Sequence, residues 1–571
     1  MHRLLQLSFG LSAVVVFGVA LYFKAPVVEP VINYLQPPIS TLIIPHHDAV
    51  KDIRQDFLAE TAKKISQPKT IILLSPNHYQ SGRGELQTSS QVWQLTNGSI
   101  VPNEVVINRL TGLATEEPES FTNEHGIKAV LANVWQVFPR AMIVPVIFKE
   151  NVARPKLDQL VKVLTESCDD CLLVSSVDFS HYQPPILANL HDQLTKRAML
   201  SLDADKILAD AEVDSPPALA ATILWAETQN TQRLVLARQT NTSIIGNSPD
   251  LEGTSHFFGY YTRGAKTQPE PAVSFIIGGD MMFGRMIAHT FLADGLEKSL
   301  AKLGDRVFWG TDASIINLEG PVSKTPVPDD IRTDNLTFNF PPQTIKALRS
   351  IKVKAASLAN NHSANAGSTG LSDTRELLKG AEIMAIGGPG DSGLAEVASF
   401  KGEGLTLDVI GVHTLITQPD LSKLIKELKA EPTHRVLVFP HWGVEYQPTH
   451  SARQEELAHQ WIDAGADMVI GAHPHVIQDA EVYKNRPIFY SLGNLLFDQT
   501  FSQETQQGLL IAGEVTENET RLFALPVGSI KYQPQLIRGE RKTKILDTLY
   551  QPLTSYLQHS PAGDTVVIHY K

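Results

Sequence analysis

Two histidines that are two residues apart follow a short apolar run, and the run predicts a buried strand. They are His473 and His475, in the segment Val-Ile-Gly-Ala-His-Pro-His at residues 469–475. Imidazole nitrogen is a common ligand of transition metals, so the spacing indicates a metal site at the end of the strand. For this segment alone, a core histidine beside a surface histidine is the plain alternative.

Four further apolar runs end in residues that can ligate a metal, and they end at Asp280, Glu319, Asn361 and His441. In an open α/β sheet the ligand crevice lies outside the carboxyl ends of the strands, so these side chains are expected to converge. Carboxylate, amide and imidazole ligands together suit a pair of divalent Mn, Zn or Fe ions and argue against Ca.

These motifs occur in an order that resembles a known family. They are Gly-Asp280, Asn-Leu-Glu319-Gly, Asn-Asn361-His362, His441-Trp-Gly-Val-Glu445-Tyr446, Gly-Ala-His473-Pro-His475 and Ser-Leu-Gly-Asn494. The set resembles the CapA/PgsA proteins of poly-γ-glutamate capsule synthesis, which belong to the calcineurin-like metallophosphoesterase superfamily. The resemblance covers residues 273–571 and implies an α/β sandwich with a metal-dependent phosphoesterase-type site.

The resemblance also implies a role for each matching residue. Metal ligands would be Asp280, Glu319, Asn361, His441, His473 and His475, with Glu319 as the bridge between two ions. Candidate catalytic residues are His362 and Glu445, and candidate substrate-binding residues are Tyr446 and Asn494. One departure weakens the first metal position, because the superfamily usually has Asp-x-His where this chain has Asp280-Met-Met282.

A second group of acids and histidines follows apolar runs earlier in the chain. Its candidate metal-site residues are His46, His78, Glu124 and His181, and the bland alternative is a set of polar caps. The motifs Pro-His46, Ser-Pro-Asn-His78, Asn-Glu124-His125 and Asp178-Phe-Ser-His181 resemble the Memo family, also called AmmeMemoRadiSam system protein B. That resemblance covers residues 41–264 and implies a fold like that of the class III extradiol dioxygenases. Animal Memo proteins have a Cys where residues 239–243 have none, so Glu124 is the candidate substitute.

The N-terminus has an uncharged, largely apolar run, residues 4–23, between Arg3 and Lys24. About 20 such residues can span a bilayer. We therefore expect a transmembrane anchor at residues 1–24 and a linker at 25–40. This predicts a single-pass protein of the cell membrane with an extracytoplasmic body. A polar, proline-containing linker is expected at 265–272.

The amino-acid composition limits the classes of protein to which the chain can belong. The chain has 571 residues, of which 43% are apolar and 19% charged, so it is globular and long enough for several domains. A net charge of −12 gives no basic surface for nucleic acid. The two cysteines, Cys168 and Cys171, exclude a disulfide framework, and they can form one small disulfide or stay as thiols.

The expected fold class is α/β: a transmembrane helix, a Memo-like domain and a metallophosphoesterase-like domain. The expected function is that of a membrane-anchored CapA-like protein with a phosphoesterase-type site. It would bind one or two divalent ions in its C-terminal domain and act in capsule or envelope polymer synthesis or export. Envelope or capsule polymer components are the expected partners. Two alternatives stay open, a non-catalytic assembly protein with structural metal sites and a redox enzyme centred on the Memo-like domain.

Overall fold

The computed structural model describes residues 39–325, 336–389, 397–416 and 419–570. These residues cluster into one compact unit. The predicted anchor, residues 1–24, lies outside the described residues. The predicted linker, residues 25–40, does so as well, except for its last two residues.

The strands follow one another along the whole described chain. They are β1 (Ile39–Ile44), β2 (Thr70–Pro76), β3 (Leu86–Thr88), β4 (Trp93–Leu95), β5 (Gly98–Ile100), β6 (Thr115–Glu116), β7 (Met142–Phe148), β8 (Cys171–Ser176), β9 (Arg233–Asn241), β10 (Ser255–Thr262), β11 (Ala272–Met281), β12 (Ala313–Leu318), β13 (Ala355–Ser357), β14 (Met384–Ile386), β15 (Val397–Lys401), β16 (Thr406–His413), β17 (His434–His441), β18 (Met468–Ile470), β19 (Ala480–Tyr483), β20 (Arg486–Phe489), β21 (Asn494–Leu496), β22 (Gln507–Thr516), β23 (Glu519–Ile530), β24 (Gln533–Leu536), β25 (Leu557–Ser560) and β26 (Gly563–His569).

The helices alternate with these strands. The α-helices are α1 (Lys51–Ala62), α2 (Glu104–Arg109), α3 (His125–Val137), α4 (Arg154–Ser167), α5 (Pro185–Ser201), α6 (Ala204–Asp210), α7 (Pro216–Thr228), α8 (Thr242–Ile245), α9 (Arg285–Phe291), α10 (Gln343–Ser350), α11 (Gly367–Gly380), α12 (Ser422–Leu428), α13 (Ala452–Ala464) and α14 (Gly539–Tyr550). Short 3-10 helices span Asp48–Val50, Pro118–Phe121, Leu296–Leu300, Glu504–Gln506 and Gln551–Tyr556.

The N-terminal region is built on an eight-stranded sheet in the order β6-β3-β7-β2-β8-β1-β10-β9. Its central strands β7, β2, β8 and β1 run parallel. Strand β2 is buried along its whole length, as its continuous apolar run predicts for a parallel strand covered on both faces. Cys168 forms a disulfide with Cys171, the first residue of β8, which decides between the two alternatives left open by the sequence.

The C-terminal region contains a ten-stranded and a six-stranded sheet. Apolar side chains of β11 and β12 in the first sheet share one core with those of β16 and β17 in the second, so the two sheets pack face to face. Helices α12 and α13 cover the outer face of the six-stranded sheet. The predicted helix before His473 is α13, which has a capping box of Ser451 and Gln454 and ends at Gly465, whose φ is +116°.

The two regions contact each other through helix α5 and the segment around α6. Leu187 and Leu190 of α5 join an apolar cluster that consists otherwise of C-terminal residues. Arg197 of α5 donates a hydrogen bond to Glu514 of β22, with 2.7 Å between Nη1 and Oε2, and its Nη2 lies 3.6 Å from Asp312. Both apolar packing and buried ion pairs therefore hold the regions together.

The predicted fold class requires one correction. In the described part of the chain, no helix is both long and apolar enough to cross a membrane, and the segment predicted to do so lies outside that part. The structure supports a mixed α/β fold with sheets, without the transmembrane element. The predicted domain boundaries stay a prediction.

Replacing Arg197 with Met is expected to lower the stability of the protein by roughly 1.5–3 kcal/mol, because Glu514 loses a charged hydrogen-bond donor at 2.7 Å and keeps only Arg521 at 3.7 Å. The measurement is the urea midpoint of unfolding, followed by tryptophan fluorescence. The matched control is Arg154→Met, since Arg154 pairs with Asp158 and Asp205 at the surface and such pairs contribute about 0–1 kcal/mol. Equal midpoints for the two variants would contradict this assignment.

Candidate metal centre

Three strands of the ten-stranded sheet deliver polar side chains at their carboxyl ends. Asp280 is the penultimate residue of β11, Glu319 directly follows β12, and Asn361 lies four residues beyond β13. The strands are parallel neighbours, so their ends lie side by side at one edge of the sheet. This is the convergence that the sequence predicts for an α/β crevice.

The six-stranded sheet contributes the histidines. His441 is the last residue of β17, while His473 and His475 follow β18, its parallel neighbour. Both His473 and His475 have positive φ, +98° and +59°. Such values are uncommon outside glycine, and the surrounding structure must hold them in place.

The side chains meet in two overlapping groups whose ligand atoms lie within 4.8 Å of one another. One group is Glu319, His473 and His475, and the other is Asp280, Glu319 and His441. Glu319 belongs to both, which is the position expected of a bridging carboxylate. Asn361 joins them through its Oδ1, which lies 2.8 Å from His441 Nε2.

The donor set fits a divalent cation. Glu319 is fully buried, and neither of its carboxylate oxygens has a hydrogen-bond partner. Nδ1 of His473 is also buried without a partner. Unsatisfied buried carboxylates are costly unless paired with a cation, so these orphaned atoms match the requirements of metal ligands.

Burial shifts the pKa values of several groups in the site. Burial, reinforced by the neighbouring Asp280 carboxylate, raises the pKa of Glu319 well above its usual value. Burial and the neighbouring His475 lower the pKa of His473 to about 3, and burial and His473 lower that of His441. His441 and His473 are therefore neutral, and neutral imidazole is the form of histidine that binds a metal.

Asn317 holds two of the candidate ligands in position, although it is not among the residues that the sequence motifs indicate. Its Nδ2 donates to Asp280 Oδ1 at 2.8 Å and lies 3.3 Å from His441 Nδ1. Its Oδ1 accepts from Asn360 Nδ2 at 3.1 Å. Asn317 is two residues before Glu319, and residues two apart on a strand share one face, which is the signal that could have found it.

His362 lies beside the two groups of candidate metal ligands rather than within them. Its Nε2 is 3.9 Å from Glu319 Oε1, and its Nδ1 is 2.9 Å from Asn365 Oδ1. The ring packs against Phe338, with centroids 4.2 Å apart. Burial lowers the pKa of His362, so the imidazole is neutral near pH 7.

The remaining predicted site residues surround His475. Asn494 is buried, and its Oδ1 lies 3.0 Å from His475 Nδ1, so its observed contact is with a ligand. Tyr446 is 42% exposed, and its ring lies 6.1 Å from that of His475. Glu445 is half-buried. Among these three, Tyr446 is the most accessible to a substrate.

Three of the four residues predicted for the N-terminal site also come together, and Asp214 rather than Glu124 joins them. His46 and His78 form a group with Asp214, and His181 forms another with Asp178 and Asp214. Glu124 is in neither group, because its Oε1 lies 2.5 Å from Nδ1 of His78 and its Oε2 accepts the backbone N–H of the same residue.

Asp214 belongs to both groups but is not among the residues that the sequence motifs indicate. It directly precedes Ser215, which caps helix α7, and the run Asp-Ser-Pro-Pro is typical of a helix start. Helix capping is a sufficient reason for these residues to occur, whether or not they belong to a metal site. The sequence therefore contains no signal that separates Asp214 from an ordinary turn residue.

Two family models match the chain. Residues 30–248 match the family described as Memo-like protein, and residues 274–499 match the one described as bacterial capsule synthesis protein PGA_cap. The chain therefore matches the Memo-like family over its N-terminal part and the PGA_cap family over its C-terminal part, as the sequence motifs predict.

Individual relatives agree with this division. The chain is 30% identical over 268 residues to capsule biosynthesis protein CapA of Bacillus anthracis, a match covering 43% of this chain and 64% of that protein. It is 28% identical over 280 residues to PGA biosynthesis protein CapA of Bacillus subtilis, covering 46% and 73%. A MEMO1 family protein of Caldivirga maquilingensis is 23% identical over 175 residues, covering 29% and 62%. The match thus spans less than two thirds of the Bacillus anthracis protein.

Replacing Glu319 with Gln is expected to reduce the divalent metal bound per chain by at least one ion after incubation with Mn²⁺ and gel filtration. The amide keeps the shape of the side chain but removes the charge shared by both ligand groups. Metal content is measured by elemental analysis. Glu481→Gln, which changes a carboxylate bonded to His459 and Tyr490, is the control and should retain the full content. Unchanged metal in Glu319→Gln would show that this carboxylate is not a ligand.

Proposed function

We propose that the C-terminal region is a metal-dependent hydrolase of the phosphoesterase type that acts in the synthesis or export of a capsule or envelope polymer. The match to the PGA_cap family and the names of the two Bacillus relatives support the link to capsule synthesis. The position of His362 supports the hydrolytic activity.

The donor set is suited to two divalent cations, which would stabilise negative charge developing on a substrate's oxygen atoms. Glu319, His473 and His475 would hold one, Asp280, Glu319 and His441 would hold the other, and Asn361 lies beside His441. Asn317 and Asn494 fix the orientation of Asp280, His441 and His475.

The position of His362 is the single observation that favours catalysis over a structural metal site. His362 is next to the predicted ligand Asn361 in sequence, yet it is oriented by Asn365 and Phe338 rather than by the ligand groups. With Nδ1 engaged by Asn365, Nε2 is the atom that can exchange a proton with an oxygen of the substrate. A purely structural site does not require such a group.

A second candidate function, that of a non-catalytic assembly protein, is favoured by one observation. Met282 replaces the histidine of the usual first motif and is fully buried, and its sulfur accepts the backbone N–H of Gly284 at 3.0 Å. The β11 loop therefore supplies no imidazole, and the first metal position has one ligand fewer than the superfamily pattern.

We also propose that the protein acts outside the cytoplasm on components of the polymer. A disulfide between Cys168 and Cys171 supports it, since disulfides persist mainly in oxidising compartments.

Replacing His362 with Ala is expected to lower kcat for bis(p-nitrophenyl) phosphate by about 10²–10⁴, the usual contribution of a general acid or base, while leaving bound metal unchanged. Release of p-nitrophenol by the full chain with Mn²⁺ is the measurement. The control is His459→Ala, which changes a partly exposed histidine of α13 that stacks on Tyr483. Equal rates for wild type and His362→Ala would reject the catalytic role, and metal-loaded wild type without turnover would favour the assembly protein.

A further inference from the structure

Exposed apolar side chains lie beside the candidate ligands of the C-terminal region. Phe501 is 67% exposed and Val444 is 59% exposed, and Tyr446 follows Val444 by two residues on the loop after β17. The rings of Tyr446 and Phe501 lie 5.2 Å apart at an angle of 84°, and the Tyr446 ring is 6.1 Å from that of His475. Single exposed apolar residues are ordinary on a protein surface, but neighbouring ones at the edge of a site indicate a binding surface.

The backbone of Tyr446 is held in an unfavourable conformation. Its φ is +63°, which is uncommon for a bulky side chain. The backbone N–H of Tyr446 donates to the carbonyl oxygen of Pro474 at 2.8 Å, and Gln499 Nε2 donates to the tyrosine hydroxyl at 3.1 Å. Asn494 Nδ2 donates to Gln499 Oε1, and Asn494 Oδ1 contacts His475. Hydrogen bonds therefore fix the tyrosine ring relative to a candidate ligand, and such strain is typical of positions that contact a substrate.

The loop that contains Phe501 is also held by hydrogen bonds. Gln506 Nε2 donates to the carbonyl oxygen of Thr500 at 3.3 Å and to that of Ser502 at 2.9 Å. The backbone is thus fixed on both sides of Phe501, while two thirds of the ring surface stays in contact with solvent. Packing within the protein accounts for only the smaller part of this apolar surface, so the exposed part is free to contact a ligand.

The sequence of the two loops favours a neutral, apolar ligand at this edge. Residues 442–450 and 499–503 contain no lysine or arginine, and their one acidic residue is Glu445. An acidic polymer would therefore meet no permanent positive charge on these loops. A hydrocarbon chain would instead cover apolar area of Val444, Tyr446 and Phe501, and covering such area is favourable.

We infer that the substrate is a phosphodiester in which one alcohol is a long hydrocarbon chain, and that Phe501, Tyr446 and Val444 bind this chain. The inference rests on the proposed hydrolytic function. The phosphate would lie at the candidate ligands, and the chain would extend over Tyr446 to Phe501. In the reaction, a bond forms between a water oxygen and phosphorus, and the bond from phosphorus to the second alcohol breaks. That alcohol leaves with a proton, and the alkyl phosphate remains.

The test compares p-nitrophenyl phosphodiesters whose second alcohol is methanol, hexanol or decanol, below the concentrations at which micelles form. For the full chain with Mn²⁺, kcat/KM is expected to be about 30-fold higher for the decyl than for the methyl ester, as covering about two or three methylene groups would give. Phe501→Ala should reduce this ratio to about threefold and leave the methyl ester rate unchanged, because less of the chain is covered. The control is Ile530→Ala, which changes an exposed apolar residue at the end of β23 and should keep the ratio.

Binding of decyl phosphate and methyl phosphate to the Mn²⁺-loaded chain, measured by calorimetry, separates this inference from the proposed function. Tighter binding of decyl phosphate that Phe501→Ala removes supports the apolar surface, even where none of the esters is hydrolysed. Equal kcat/KM and equal affinity across the series would overturn the inference, and so would a chain-length effect that Phe501→Ala leaves unchanged. Inhibition by a short glutamate oligomer that Phe501→Ala relieves, without any effect of chain length, would assign the surface to an acidic polymer instead.

Discussion

The Glu319 carboxylate in the C-terminal region needs a positively charged partner, because it is fully buried and neither oxygen has a hydrogen-bond partner. Leaving a polar group unsatisfied in a protein interior costs about 1–3 kcal/mol, and more when the group is charged. The surrounding side chains do not offset this cost by themselves, since His475 is the nearest positive partner at 3.5 Å. Cations shared with Asp280, His441 and His473 would offset it.

The two sheets place these groups by a simple geometric rule. Side chains at the carboxyl ends of parallel strands lie along one edge of each sheet, and the face-to-face packing of the sheets brings the two edges together. The acids and the amide come from the ten-stranded sheet, and the imidazoles come from the six-stranded one. The site therefore depends on the apolar core between the sheets, since a shift of one sheet would separate the oxygen ligands from the nitrogen ligands.

The sequence predicts which side chains converge, because each lies at the end of an apolar run and the carboxyl ends of neighbouring parallel strands lie together. It does not predict the residues behind them. Asn317 lies within a strand and Asp214 lies before a helix, and both positions have ordinary explanations. It also does not give the contacts within a cluster. Glu124 belongs to the right cluster, but only the folded structure shows that its contact is with the far side of His78.

The contact between the two regions extends to the N-terminal site. Arg306 of the C-terminal region lies 3.5 Å from Glu212, whose oxygens accept from the backbone N–H of His181 and lie 2.7 Å from His191 Nδ1. Burial opposes the charge of Glu212, but the hydrogen bond from His191 and the charge of Arg306 outweigh it and lower its pKa to about 2.

The packing at this point is close. Gly310 has a φ of +60°, and a Cβ there would lie 2.5 Å from the Cβ of His191. A side chain at residue 310 would therefore displace α5 or the loop that faces it. Since α5 also provides Arg197 and two leucines of the shared core, the same contacts that join the regions hold Glu212 against His181. The C-terminal region is thus part of the structural support of the N-terminal cluster, which gives a physical reason for the two regions to occur in one chain.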